Sequence, residues 1–234
     1  MVELRGFGRQ WSVPFAECPR ATIFDLDGTI VDNMFLHAEA FAVFAERHGL
    51  PALTPADRVK LDGRRNSEIF PLLFGREMES EEWQTYEHEK EALYRELSRG
   101  RLTVVAGLPA LLDRLDSRGI ALAMATSAPE LNVAHTLNEV GLASAFSTIV
   151  RGDQVPRGKP APDVFIEASR QLEVPAEGCI VFEDAPMGIL AAQAAGMRVV
   201  AMMTSFSAAQ FTALAEPPDL ACRDFEAVLA LADW

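Results

Sequence analysis

Asp25 and Asp27 stand two residues apart at the end of an apolar run, Ala21-Thr22-Ile23-Phe24-Asp25-Leu26-Asp27-Gly28-Thr29. Side chains two apart on a strand share a face. Both carboxylates can therefore meet at the strand's carboxyl end, where open α/β sheets bind ligands. Two carboxylates in one small volume repel unless a cation joins them or one holds a proton. The pair is then a metal site, or a nucleophile beside a general acid. Taken alone, a charged turn after a buried strand accounts for it about equally well.

Three further segments place complementary groups at the ends of strand-like runs. Ile120 to Ala125 is apolar and ends in Thr126-Ser127. Gly158-Lys159-Pro160-Ala161-Pro162-Asp163 opens a helical stretch with a lysine just before it. Cys179-Ile180-Val181-Phe182 ends in Glu183-Asp184, with Ala185-Pro186 and Gly188 following. Each has a plainer account. A strand-end threonine caps a following helix, a lone loop lysine is normally solvated, and an acidic pair serves as a helix N-cap. The prolines beside Lys159 limit backbone freedom and argue for a fixed lysine.

In this order and spacing the chain resembles the haloacid dehalogenase superfamily of phosphotransferases. The four motifs read here as DLDGT, ATS, GKPAPD and FEDAPMG, from residue 25 to residue 188. Any one is weak; all four together are specific. The likeness extends over nearly the whole chain after residue 20 and implies an aspartyl-phosphate mechanism. Asp25 matches the nucleophile, which splits one hard step into two. Asp27 matches the general acid that protonates the leaving oxygen and then the base for water. Thr126 matches the hydroxyl on the transferring phosphoryl group, with the Ser127 amide nearby. Lys159 matches the cation that offsets nucleophile and phosphate charge. The cofactor implied is Mg2+, which prefers hard oxygen ligands. The Asp25 carboxylate, the Asp27 main-chain carbonyl and Asp184 would hold it, with Glu183 as a direct ligand or an orienter of waters. Thr29 is expected to orient the loop, Gly28 to relieve crowding, and Asp153 to cap or brace the loop before Lys159. A dehalogenase expels halide and needs no proton, whereas a phosphatase expels an alkoxide and does. The second aspartate therefore favours phosphoryl transfer.

The likeness is closest to the branch containing β-phosphoglucomutase and small sugar-phosphate phosphatases, whose helical cap excludes water and selects small substrates. His37 in DNMFLHAEAF matches that branch's site-facing histidine; an exposed helix face is its plainer account. Lys90 falls where the mutase has a cap lysine. The mutase's phosphate-binding cap arginine falls at Asn66 in DGRRNSEIF, with Arg64 and Arg65 just before it. Arg64 and Arg65 are the candidates to replace it, or else both arginines lie in a solvated loop. His48, His88 and His135 read as ordinary helix residues. The resulting expectation is a Mg2+-dependent phosphatase of small phosphorylated metabolites, sugar phosphates foremost. A β-phosphoglucomutase-like isomerase is the alternative. A non-catalytic phospho-receiver is a third class, but receivers carry an adjacent acidic pair on their first strand and no helical insertion.

Composition agrees with this class. Twenty-one Lys and Arg against 34 Asp and Glu give a net charge of −13. That argues against a nucleic-acid backbone or an anionic membrane as partner, and a phosphate substrate then needs local positive charge. The three cysteines, Cys18, Cys179 and Cys222, have no zinc or redox spacing. They suit a reducing cytoplasm. The first twenty residues have no apolar signal region, and no stretch has the length of a membrane span.

The elements that must position these groups follow from periodicity and punctuation. Residues 1–20 read as an extension, in which Trp11 packs on the body or makes an outside contact. The first core strand is expected at 21–26. From 33 to 103 the pattern is helical without strands: one helix up to Gly49, one opening at Thr54-Pro55, a short one from Asn66 to Phe74 broken near Pro71, and a long one from Ser80 through Leu97. From 104 helices and strands alternate, with strands at 120–125, 146–150, 179–182, 198–203 and near 219–222. Regular βα alternation implies a parallel sheet with helices on both faces. The expected fold is α/β, a doubly wound Rossmann-like core of 21–32 with 104–234 and an inserted all-helical cap of 33–103. The Rossmann-like strand order comes from the resemblance.

Overall fold

The computed structural model describes residues 18–232 and residue 234. Trp11 and most of the extension expected over 1–20 lie outside the described residues. Strand β1 (Ala21–Phe24) is buried along its whole length, as expected of a parallel strand covered on both faces. Around it lie β2 (Ala121–Thr126), β3 (Thr148–Arg151), β4 (Cys179–Glu183), β5 (Arg198–Met202) and β6 (Leu220–Cys222). They form one parallel sheet in the order β3-β2-β1-β4-β5-β6. The strand order reverses beside β1, and the crevice at such a reversal is where open α/β sheets bind ligands. Register brings Phe24 level with Met124 on β2 and Phe182 on β4. The next residues, Asp25, Ala125 and Glu183, therefore reach the same edge together.

Alternation sorts the strand residues into two cores. Phe24, Met124, Ile180 and Phe182 join one face, where Phe24 stacks on Phe182 at 4.9 Å. Helices α5 (Leu108–Ser117), α6 (Glu130–Glu139) and α10 (Phe225–Leu231) cover that face. Ile23, Ala123, Ala125 and Val181 join the other, under α7 (Asp163–Gln171), α8 (Pro186–Ala194) and the short α9 (Ala208–Thr212).

Four helices sit between β1 and α5: α1 (Met34–Arg47), α2 (Pro55–Leu61), α3 (Asn66–Phe74) and α4 (Ser80–Ser98). They have their own core, built on Leu36, Phe41, Phe44, Phe70, Leu93 and Tyr94. Thr54 and Asp57 form a reciprocal capping box at the start of α2, with Pro55 in the first turn. Two chain segments connect this cap to the sheet, and they pair with each other. Val31 bridges Val104 in antiparallel fashion, Asp32 N–H donates to Thr103 O at 3.1 Å, and Val105 N–H donates to Ile30 O at 2.9 Å.

Two expectations need correction. Helix α3 is not broken at Pro71 but runs through it; proline removes one backbone donor, which a nine-residue helix packed on Phe44 tolerates. Helix α9 was not anticipated. Among the described residues no helix is long and apolar enough to cross a membrane.

Candidate active site

Asp25 leaves β1 where its neighbours end. Its N–H donates to Phe182 O at 3.0 Å, which extends the β1–β4 ladder by one residue. Its Oδ1 accepts from Lys159 Nζ at 2.6 Å, and the same ammonium donates to Glu183 Oε2 at 3.0 Å. Lys159 is 1% exposed. Burial pulls its ammonium down, but Asp25 and Glu183 outweigh burial and hold it well above the usual lysine range. It is therefore not a solvated loop lysine.

Asp25, Glu183 and Asp184 offer oxygen atoms that all lie within 4.8 Å of one another, and all three residues are buried. Burial pushes each carboxyl up. Glu183 raises Asp25 and Asp184 further, and Lys159 only partly compensates at Asp25. One lysine among three buried carboxylates leaves an excess of negative charge, and a hard divalent cation such as Mg2+ fits this all-oxygen set. Glu183 is the least free of the three, since its Oε1 also accepts from Ala185 N–H at 3.2 Å. Asp184 Oδ2 accepts from Ser205 Oγ at 2.5 Å.

Two glycines make room for this cluster. Gly28 has φ +78°, and a Cβ there would lie 2.0 Å from Asp184 Oδ2; a Cβ at Gly188 would lie 2.1 Å from Glu183 Cδ. Thr29 does not orient the loop through its hydroxyl, which is buried without a partner. The loop is held instead by Thr204 Oγ, which donates to Gly28 O, and by Asn33 Oδ1, which accepts from Gly28 N–H at 3.0 Å. Asp153 is exposed and braces Arg151 at 3.1 Å.

Asp27 has a different environment. Its Oδ1 accepts from Asn33 Nδ2 at 2.6 Å, and His37 Nε2 lies 3.5 Å away, beyond an ordinary hydrogen bond. Burial pushes the Asp27 carboxyl up, but His37, Asn33 and Lys90 outweigh it and hold it below the ordinary range. His37 stacks on Tyr94 at 3.9 Å. Lys90 Nζ is 3.0 Å from His37 Nδ1, and an ammonium can only donate, so Nδ1 accepts. The imidazole then keeps its proton on Nε2, aimed at Asp27.

Thr126 is buried, and its Oγ1 accepts from Ala128 N–H at 3.0 Å. The hydroxyl thus braces the turn into α6 and keeps its own proton to donate. Thr126 and Ser127 line a cavity with Asp25 and Asp27, but Ser127 Oγ donates to Gly63 O at 2.7 Å and so joins core to cap. Lys90 is fully engaged: besides His37 it meets Glu91 Oε1 at 2.9 Å and lies over the Phe41 ring. Of the two cap arginines, Arg64 lines the cavity while donating Nε–H to Lys60 O at 2.8 Å. Arg65 turns away, pairs with Glu68 at 2.9 Å, and donates to Gly152 O at 3.2 Å and Val155 O at 3.3 Å.

The family model described as haloacid dehalogenase-like hydrolase matches residues 22–202. The chain belongs to the haloacid dehalogenase-like hydrolases. Over 181 residues it is 33% identical to a phosphorylated carbohydrates phosphatase of Thermotoga maritima, covering 76% of this chain and 82% of that protein. Over 188 residues it is 32% identical to a β-phosphoglucomutase of Bacillus subtilis, covering 77% and 82%. A solved haloacid dehalogenase hydrolase of family IA, variant 3, from Entamoeba histolytica superimposes with a TM-score of 0.78 at 29% identity, over 90% of this chain and 98% of that one. This haloacid dehalogenase-like hydrolase is thus an enzyme whose matched relatives include both a phosphatase and a phosphomutase.

Sequence reasoning passed over three residues of the site. Asn33 sits at the N-cap position of α1, where asparagine is ordinary, yet it makes no cap bond and serves Asp27 and Gly28 instead. Glu91 accepts from Asn66 Nδ2 at 2.7 Å, Asn132 Nδ2 at 2.6 Å and Lys90, joining α3, α4 and α6. Ser205 follows β5 as Thr126 ends β2; hydroxyls at a strand's carboxyl end were a usable signal there too.

Proposed function

We propose that this protein is a Mg2+-dependent phosphatase of small phosphorylated metabolites, acting through an aspartyl phosphate on Asp25. Residues 21–32 with 104–234 then act as the catalytic core and 33–103 as the cap over it. The observation that carries the reading is Asp25 held at 2.6 Å by buried Lys159 inside a three-carboxylate cluster, with Asp27 in a separately hydrogen-bonded niche.

Asp25 attacks phosphorus in line, a new O–P bond forms, and the ester O–P bond breaks. Asp27 supplies the proton to the departing oxygen. It is ionised at rest, so it acts as an acid only after taking up a proton, and then as base for the water that attacks the phosphoenzyme. That second attack breaks the Asp25–phosphorus bond and releases inorganic phosphate. The Thr126 hydroxyl donates to a phosphoryl oxygen, and Lys159 offsets the gathered negative charge. Bound at Asp25 and Asp184, with the Asp27 carbonyl, Mg2+ would supply charge neutralisation for the phosphoryl group; Glu183, already held by Lys159 and Ala185, would orient the set.

Hydrolysis is favoured over isomerisation because a mutase must grip a second phosphate in the cap. Asn66 stands in place of the mutase arginine, and its amide is taken by Glu91 and Glu87. The mutase reading keeps support from the 32% identical β-phosphoglucomutase. The phospho-receiver reading loses ground to the family assignment. The test is phosphate release from a panel of sugar and polyol monophosphates with Mg2+, using Asp25→Asn as the control. Release by wild type and none by the variant supports the proposal; equal release by both ends it.

A further inference from the structure

The cavity above Asp25 is about 80 Å³, enough for only a few water-sized groups. Its α6 side is shut by the Glu91–Asn132 and Ser127–Gly63 bonds. A much larger groove of about 600 Å³ opens on the opposite side, between the cap and the loop after β5. That size lies within the range of ligand pockets. Met34, Phe41, Arg58 and Asp62 line both spaces. The groove therefore adjoins the catalytic cavity, with these four side chains between the two.

One wall is a face of α1. Ala38 and Ala42 lie there with Phe35, which is 49% exposed. The floor includes Thr204 and Ser205, and Ser205 also bonds Asp184. The border charges cancel: Arg58 Nε donates to both Asp62 oxygens, at 2.8 and 2.9 Å. Exposed Asp32 adds negative charge at the rim. A second anionic group is disfavoured there and an uncharged apolar one is not.

We propose that this groove is a leaving-group subsite, which makes the protein accept phosphate monoesters carrying an extended apolar or aromatic arm. The inference rests on the phosphatase reading of Asp25. It adds that the phosphoryl group fills the small cavity while the arm passes between Met34 and Arg58 into the groove.

The test uses non-hydrolysable probes: methylphosphonate, hexylphosphonate and 2-(2-naphthyl)ethylphosphonate, titrated calorimetrically into the Mg2+-loaded full chain. The armed probes are expected to bind about tenfold tighter or more, since two buried methylenes already carry that much. Ala38→Trp and Ala42→Trp, which fill the groove, are expected to remove the advantage, with circular dichroism confirming their fold. In parallel, the kcat/KM ratio of hexyl phosphate to ethyl phosphate is expected to drop about tenfold in both variants. Armed probes binding no tighter than methylphosphonate in wild type would overturn the proposal, and so would filled variants that keep the preference. The two readings fail separately. Armed-probe preference without phosphate release from any ester refutes the phosphatase and leaves the groove. Phosphate release without any arm preference refutes the groove alone.

Discussion

Lys159 Nζ lies 2.6 Å from Asp25 Oδ1, in a position where neither group meets solvent freely. The contact offsets part of the charge that Asp25 and Glu183 would otherwise press on each other. Removing one partner of a buried pair costs about 3–5 kcal/mol. Lys159→Ala is therefore expected to lower the melting temperature by roughly 10 °C or more and the rate of phosphate release by on the order of 10²-fold or more. Added Mg2+ is expected to recover part of the stability but little of the rate. Calorimetry with and without Mg2+ reads this directly. A variant with wild-type stability and turnover would mean that the pair plays neither part.

Asp27 is governed chiefly by His37 and Asn33, while its charge also raises the carboxyls of Asp25 and Glu183. If it hands the leaving oxygen its proton, its worth depends on how basic that oxygen is. Asp27→Asn is expected to slow enzyme phosphorylation by a hexose phosphate about 10²-fold or more. The same step with 4-nitrophenyl phosphate, whose leaving group needs no proton, is expected to change much less. Single-turnover measurements separate this step from dephosphorylation. Equal losses on both substrates count against the assignment.

These relationships were legible in the sequence to different degrees. The parallel sheet could be read because each strand is a short apolar run ended by a turn, and the ends of β1, β2 and β4 carried reactive side chains. Asp25, Thr126, Lys159 and Glu183 come together because each ends a strand of one parallel sheet or lies in the loop after one. The cap contacts were harder. Lys90 was picked out by resemblance, but nothing in its spacing tells that its charge goes to Glu91 and His37. Arg65 was coupled with Arg64 by adjacency, whereas adjacent residues point to different sides of the segment and Arg65 grips the loop after β3. Helix α9, at five residues, is too short for a helical period to show.

Glu91 links pH to stability at the cap–core junction. Burial pushes its carboxyl up, but Lys90, His37 and Asn66 outweigh burial and hold it below its ordinary value. A carboxylate depressed in the folded state contributes stability that is complete above the unfolded value of about 4.3 and is lost as pH falls through the folded value. Glu91→Gln is expected to destabilise the protein at pH 7 by about 3 kcal/mol, because Lys90 is left buried without its charge partner. The deficit relative to wild type is expected to narrow below about pH 4. Denaturant melts across pH 3–7 measure it. A deficit that stays constant over that range would show that Glu91 acts through packing alone.

Isomerisation and hydrolysis differ in what the cap must hold. A mutase keeps a bisphosphate in place while it turns over, which calls for a rigid guanidinium fork opposite Asp25. Here Asn66 is spent on carboxylates and Arg65 on core carbonyls. Arg64 is left as the cavity-lining cap arginine that does not pair with a carboxylate, and it is partly exposed. Such a site admits one phosphate and then water. Phosphate release from hexose monophosphates is expected to exceed conversion of β-glucose 1-phosphate to glucose 6-phosphate by about tenfold or more, even with the bisphosphate primer present. A coupled assay for glucose 6-phosphate, run beside a phosphate assay on the same sample, gives both rates. Isomerisation faster than release would reverse the reading. In that case Arg64→Ala must impair it selectively, because the other cap arginine lining the cavity, Arg58, is already paired with Asp62.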